Sequence, residues 1–249
     1  MPKNKDDIKL SILILSIPSR FDIVRPLINK LMDQIGDRED VEILSIMDNK
    51  SLNIYEKRNV LLDIARGSHL TWLDDDDDVA DTYVSRLTET IEENPDADVI
   101  SFNQLCYLNG YECNVFAKMG NPHQECIPEP NEDGVIFADE NARYKDTLRP
   151  PYHWCCWRTS LAASESFREV WSHGDTGQSM EDIDWLNRLY PRVEKSVYLE
   201  NDSLHIYRWS PETTASVRWE REEGTQKWSP KDPTTGSSLD LKFREGAER

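Results

Sequence analysis

The sequence lacks the cysteine spacing of a metal or redox motif. Its five cysteines, Cys106, Cys113, Cys126, Cys155 and Cys156, are odd in number and form no Cys-x-x-Cys pair. That argues against a zinc ribbon and against a disulfide frame, and the expectation is reduced thiols in a cytoplasmic protein. Glycine-rich phosphate loops are missing too. No Gly-x-x-x-x-Gly-Lys-Ser/Thr occurs, and neither does the dinucleotide fingerprint Gly-x-Gly-x-x-Gly. Long hydrophobic runs are absent: Leu10 to Ile17 is too short to span a bilayer, and the mixed charges of MPKNKDDIKL do not read as a signal peptide. Positive charge is scarce. With 29 Lys and Arg against 47 Asp and Glu, the net charge of −18 removes any general attraction to nucleic acid or to an anionic membrane. No internal repeat is evident.

What is present is an alternation. Lys9 to Ile17 is a near-continuous apolar run, as a central parallel strand requires. A helix is expected over about Asp22 to Gln34, closed by Gly36. Val41 to Met47 reads as the second strand, ending at Asp48. Strand, helix, strand, helix, strand indicates an α/β fold with a mostly parallel sheet flanked by helices. At 249 residues the chain forms one large α/β domain or two small ones.

The stretch that organises the chain is Lys57 to Val79. Val60, Leu61, Ile64 and Ala65 recur at helical spacing. Gly67 stands where a helix end calls for a left-handed residue. Leu70 to Leu73 is a short buried strand, and Asp74 to Asp78 begin where it leaves the sheet. Ligands of open α/β sheets bind beyond the carboxyl ends of the strands. Carboxylates placed there suit a hard cation, Mg²⁺ or Mn²⁺, bridged to substrate phosphates. An EF-hand loop does not fit: Asp74, Asp76 and Asp78 match its first ligands, but Val79 stands where Gly is needed and Ser85 where Glu is needed.

Helix, Gly turn, strand and aspartates in this order resemble the donor half of family 2 glycosyltransferases with the GT-A fold. Arg58 and Asn59 match the family's Arg-Asn, Ala65 and Gly67 its Ala-x-Gly, and Asp74, Asp76 and Asp77 its aspartates, with Asp75 as the variable residue. Lys57 departs from the usual small residue before Arg58. The resemblance spans about residues 9 to 209 and implies a GT-A catalytic domain, with a donor half of about 9 to 104 and an acceptor half of about 105 to 209. It implies donor contacts from Pro18, Ser19 and Arg20 after the first strand, from Asp48 after the second, and from Arg58, Asp74 and Asp75. Asp48 also reads as a turn cap. The resemblance places a Mn²⁺ or Mg²⁺ ion on Asp76, and a nucleotide-diphospho-sugar, UDP-linked by expectation, as the donor. A nucleotidyltransferase on a similar sheet calls for a basic, Gly-rich first loop, which Pro18-Ser19-Arg20 does not supply.

After a helix over Asp81 to Glu93 and a strand over Ala97 to Phe102, residues 103 to 150 suggest a hairpin around Asn109-Gly110. Tyr152, Trp154, Trp157, Phe167 and Trp171 then crowd together. Core packing accounts for most of them; the other reading is a stacking wall for a sugar, with Trp157 and Trp185 as acceptor contacts. Gly174 to Gly177 reads as a loop. Glu181 and Asp182 follow in the first turn of a helix that Pro191 stops; the helix dipole alone favours acidic residues there. They resemble the family's Glu-Asp motif, which implies Asp182 as the base that deprotonates the acceptor hydroxyl, with inversion, and Glu181 as an acceptor contact. His205, in a late strand region, reads either as a structural histidine or, by order in the family, as a second metal ligand. Residues from about 210 onward read as an arm or tail. Lys-Arg-Asn with a long aspartate run also resembles bacteriophage glycosyltransferases, which implies hydroxymethylated pyrimidine in phage DNA as an alternative acceptor to a glycan, and the host cytoplasm as the compartment. A noncatalytic sugar-binding protein on the same fold is the remaining alternative.

Overall fold

A computed structural model describes residues 8–108, 111–124, 146–170, 179–209, 219–221 and 228–230. Strand β1 (Leu10–Ser16) is buried at every position. Both of its neighbours, β2 (Val41–Met47) and β3 (His69–Asp74), run parallel to it. That placement explains its unbroken apolar run, because a central parallel strand is covered on both faces. Helix α1 (Phe21–Ile35) connects β1 to β2 and buries Val24, Leu27 and Leu31 on one stripe. Gly36 closes it at φ +53°, its N–H bonded to the Met32 carbonyl at 2.9 Å. Helix α2 (Ile54–Ile64) connects β2 to β3, and the Glu56 carboxylate accepts the Asn53 backbone N–H at its start.

Gly67 has a different reason from the one its position suggests. Helix α2 ends at Ala65 in extended backbone, and Gly67 is not at positive φ. The constraint is space. A Cβ on Gly67 would stand 2.6 Å from the Ser11 backbone nitrogen and 2.6 Å from the His69 carbonyl oxygen. Its own N–H donates to Ser11 Oγ at 2.8 Å, so the turn lies flat on β1.

Beyond β3 the two-residue strand β4 (Asp78–Val79) leads into helix α3 (Tyr83–Glu93), which packs beside α1. Strand β5 (Val99–Leu108) is longer than its sequence suggests and pairs antiparallel with β6 (Tyr111–Ala117). The Leu108–Tyr111 pairing matches the expected hairpin, although its tip, 109–110, lies outside the described residues. β7 (Thr147–Arg149) extends this edge. β8 (Cys156–Arg158) inserts antiparallel between β3 and β5. It is followed by the short helix α4 (Thr159–Ala162), and α5 (Glu181–Leu189) comes next. The last long strand, β9 (Ser196–Trp209), runs parallel to β5 and also pairs with β4. The result is a nine-stranded mixed sheet. A separate ribbon joins β10 (Trp219–Arg221) to β11 (Trp228–Pro230). Cys155 and Cys156 are free thiols buried in the core, as their apolar surroundings suggest. The Gly174–Gly177 loop and nearly all of the stretch after 209 lie outside the described residues.

Candidate active site

The five aspartates are not equivalent. The chain leaves β3 at Asp74 and re-enters the sheet at Asp78, so the run is a turn between two strands. Asp77 Oδ2 accepts the Asp74 backbone N–H at 2.7 Å and Asp77 N–H donates to the Asp74 carbonyl at 3.2 Å, which locks the turn. Asp75 is buried. Its Oδ1 accepts Arg20 Nε at 2.8 Å and its Oδ2 accepts Ser16 Oγ at 2.8 Å. Asp76 is more open than Asp75, though less so than Asp74, and meets Arg20 Nη2 at 2.8 Å. Asp78 faces outward to Lys30 at 3.1 Å and Arg208 at 3.5 Å. Crowding of like charges away from water has the expected effect. Burial, then the Asp74 and Asp77 charges, push the Asp76 carboxyl up to about 6. Burial, only partly offset by Arg58, also raises that of Asp74.

Strand register brings His205 to this turn. Val79 of β4 pairs with His205 of β9, and on the other side His205 pairs with Gln104 of β5. The imidazole is buried and stacks on Trp154 at 5.0 Å with an 8° interplanar angle. Its Nδ1 meets Gln104 Nε2 at 2.8 Å. Its Nε2 stands 3.0 Å from Asp77 Oδ2 but completes no hydrogen bond. With the Gln104 amide turned so that its oxygen accepts Nδ1–H, the buried Nε2 presents a lone pair beside Asp77 and Asp76, a donor set that fits a divalent cation. Among the described residues there is no group of three or more His, Cys, Asp or Glu side chains arranged as a full protein shell. A cation here needs oxygens from a ligand.

A second set of side chains ties the turn to α5. Arg58 is almost completely buried and lies over the rings of Trp72 and Phe167 at 5.1 and 5.5 Å. Its Nε donates to Glu181 Oε1 at 3.1 Å, and its Nη2 lies 3.6 Å from Asp74 Oδ1. Asn59 clasps the Phe167 backbone in both directions, at 2.9 and 2.8 Å. Asp182, in the first turn of α5, stands 3.1 Å from His153 Nδ1, while His153 Nε2 lies 3.9 Å from Asp74 Oδ2. Burial opposes ionisation of Asp182, but His153 and Arg58 outweigh it and hold its carboxyl below the usual carboxylate range.

The structure thus gathers Arg20, Arg58, Asp74, Asp75, Asp76, Asp182 and His205 around one sheet end. Pro18 and Ser19 form an exposed turn at the end of β1. Asp48, at the end of β2, is engaged by Lys57, by Ser51 Oγ at 2.8 Å and by Leu52 N–H at 2.8 Å, and these hold its carboxyl well below the ordinary range. Three acceptor expectations require correction. Trp157 and Trp185 have no exposed surface; they meet edge to face in the core at 5.7 Å and offer no wall to a sugar. Glu181 is buried, and its carboxylate is taken by Arg58 and Ser179. Arg58 itself supports the turn from beneath rather than from an open face. Sequence reasoning did not single out His153 or Gln104. His153 sits in an aromatic stretch with no motif around it, and Gln104 is revealed only by the β5–β9 register. Lys57, visible only as a departure from the family pattern, proves to be the partner of Asp48.

No family profile matches the chain. Over 156 residues it is 25% identical to the glycosyltransferase GlyG of Streptococcus pneumoniae, a match covering 61% of this chain and 48% of GlyG. The fold is that of S. aureus TarS. The UDP complex of TarS residues 1–349 superposes with a TM-score of 0.55 and 18% identity, over 82% of this chain and 62% of that fragment. Its UDP-GlcNAc complex gives 0.52 and 16%, over 82% and 59%. The chain spans about half the length of GlyG, about three-fifths of the TarS 1–349 fragment and 37% of the longer TarS chain. The chain thus has the GT-A fold and is similar in sequence to a glycosyltransferase.

Proposed function

We propose that the protein transfers a sugar from a UDP-linked donor to an acceptor hydroxyl with inversion at the anomeric carbon. One observation carries this reading. The acidic turn after β3 and the Asp182 carboxylate, 108 positions after Asp74 in the sequence, are brought together through His153. TarS, of the same fold, binds UDP and UDP-GlcNAc, which supports a uridine donor.

In this reading the nucleoside lies against Pro18, Ser19 and Asp48 at the ends of β1 and β2. Arg20 already pairs with the Asp75 and Asp76 carboxylates of the turn, and from there it would also meet diphosphate oxygens when the donor enters. A divalent cation, Mn²⁺ or Mg²⁺, held by Asp76 and His205 would supply neutralisation of the diphosphate leaving group. Asp74 and Asp75 fix the turn, Asp75 through Ser16 and Arg20. Asp182, held ionised at neutral pH, takes the acceptor proton as the new bond forms on the face opposite the leaving nucleotide.

The test is UDP release from a panel of UDP-sugars with Mn²⁺ and candidate acceptor hydroxyls, glycans and hydroxymethylated DNA included. Release that tracks sugar transfer, and is lost in a folded Asp76→Ala variant, supports the reading. A folded wild-type protein that neither binds UDP nor consumes any UDP-sugar overturns it.

A further inference from the structure

His153 follows two prolines, Pro150 and Pro151, and immediately precedes the core residues that lead into β8. Its side chain is 8% exposed. A carboxylate faces each ring nitrogen: Asp182 Oδ2 at 3.1 Å from Nδ1 and Asp74 Oδ2 at 3.9 Å from Nε2. Tyr152 lies against the ring at 5.1 Å between centroids. The other oxygen of Asp182 accepts the Ile183 N–H at 2.8 Å. One hydrogen bond, from the Ile183 N–H of its own helix, and one close approach, from His153 Nδ1, which completes no hydrogen bond in this geometry, therefore hold the Asp182 carboxylate. Arg58 closes the figure on the other side by spanning Asp74 and Glu181.

We propose that His153 is a positioning residue for Asp182: it fixes the orientation of that carboxylate and keeps it ready to accept the acceptor proton. The inference rests on Asp182 being the base. Besides His153, the charged or titratable groups facing Asp182 are Arg58, Asp74 and Tyr190, with Glu181 adjoining it in the chain but taken by Arg58. Burial and Asp74 oppose ionisation of Asp182, and His153 and Arg58 favour it. Without His153 the carboxylate loses one of its two anchors and becomes easier to protonate.

The experiment compares wild type, His153→Gln, His153→Ala, Asp182→Asn and the His153→Gln/Asp182→Asn double variant in the UDP-sugar assay. The expected result for His153→Ala is a kcat about 100-fold lower, with donor KM and UDP affinity within about twofold of wild type. The acid limb of its kcat–pH profile moves to higher pH. His153→Gln, which can still donate to Asp182, recovers part of kcat. The double variant is no slower than Asp182→Asn alone. Normal kcat and an unmoved acid limb in both His153 variants overturn the proposal. A second measurement does not depend on turnover: in the ¹⁵N-histidine spectrum of the full chain, the His153 ring nitrogens shift in Asp182→Asn and not in Asp184→Asn. Unmoved resonances overturn the His153–Asp182 pairing itself. Shifted resonances in a wild-type protein that transfers no sugar uphold the pairing and refute the assigned reaction instead.

Discussion

Asp76→Asn should make the free protein more stable while removing its response to the donor. In the folded chain the Asp76 carboxyl titrates at about 6 against an ordinary value of 3.8. Each unit of difference is worth about 1.4 kcal/mol. The full displacement is therefore about 3 kcal/mol, trimmed to about 1–3 kcal/mol because part of the side chain reaches water. The sign follows from linkage. The folded state holds the proton more tightly than the unfolded chain, so the group is neutral to stability below pH 3.8. Its cost grows between 3.8 and about 6 and is complete at pH 7. Asparagine cannot ionise and carries no such cost. Urea unfolding at pH 7 should show Asp76→Asn more stable than wild type by about 1–3 kcal/mol, a difference that closes toward pH 4. With Mn²⁺ and UDP the order reverses, because only wild type gains from the ligand. A variant that is less stable than wild type at pH 7 refutes the argument that like-charge crowding in this turn is relieved by a bound cation.

Three further outcomes follow from the same geometry. Gly67→Ala should destabilise by at least about 1–3 kcal/mol, because the backbone atoms of Ser11 and His69 must move; a urea midpoint like that of wild type contradicts this. Arg58→Met should cost about 3–5 kcal/mol by stranding Glu181, and Arg58→Met with Glu181→Leu should restore most of it; equal losses in the single and double variants would show that the pair is not the cause. Asp182→Asn should lower transfer by about 10²- to 10⁴-fold with UDP affinity near wild type, as measured by calorimetry and product chromatography; near-normal transfer, or a product of retained configuration, shows that the base is misassigned.

The donor half of the fold was legible because its signals are local. β1 is apolar throughout, Gly36 ends α1, and the aspartates follow a strand directly. Residues whose roles depend on distant register were less so. His205 is fixed by its pairing with Val79 and Gln104, both more than 100 residues away in sequence, and its approach to Asp77 appears only with that register. Trp157 and Trp185 illustrate the limit of composition. An aromatic cluster looks the same in sequence whether it lines a cleft or fills a core, and here it fills the core. The expectation of a left-handed Gly67 fails, because its constraint is the close approach of β1 and not its own φ.

The central claim is that the turn at the end of β3 binds a nucleotide diphosphate together with a divalent cation. Thermal unfolding of the wild-type chain with a panel of nucleoside diphosphates, each with and without Mn²⁺, tests it most directly. At about 100 times the dissociation constant a ligand stabilises by about 2.7 kcal/mol, which raises the midpoint by about 5–10 °C in a chain of this size. The account predicts such a rise for UDP only when Mn²⁺ is present, and no rise in Asp76→Ala. Equal midpoints with every nucleotide, or a rise that Asp76→Ala retains in full, would contradict it.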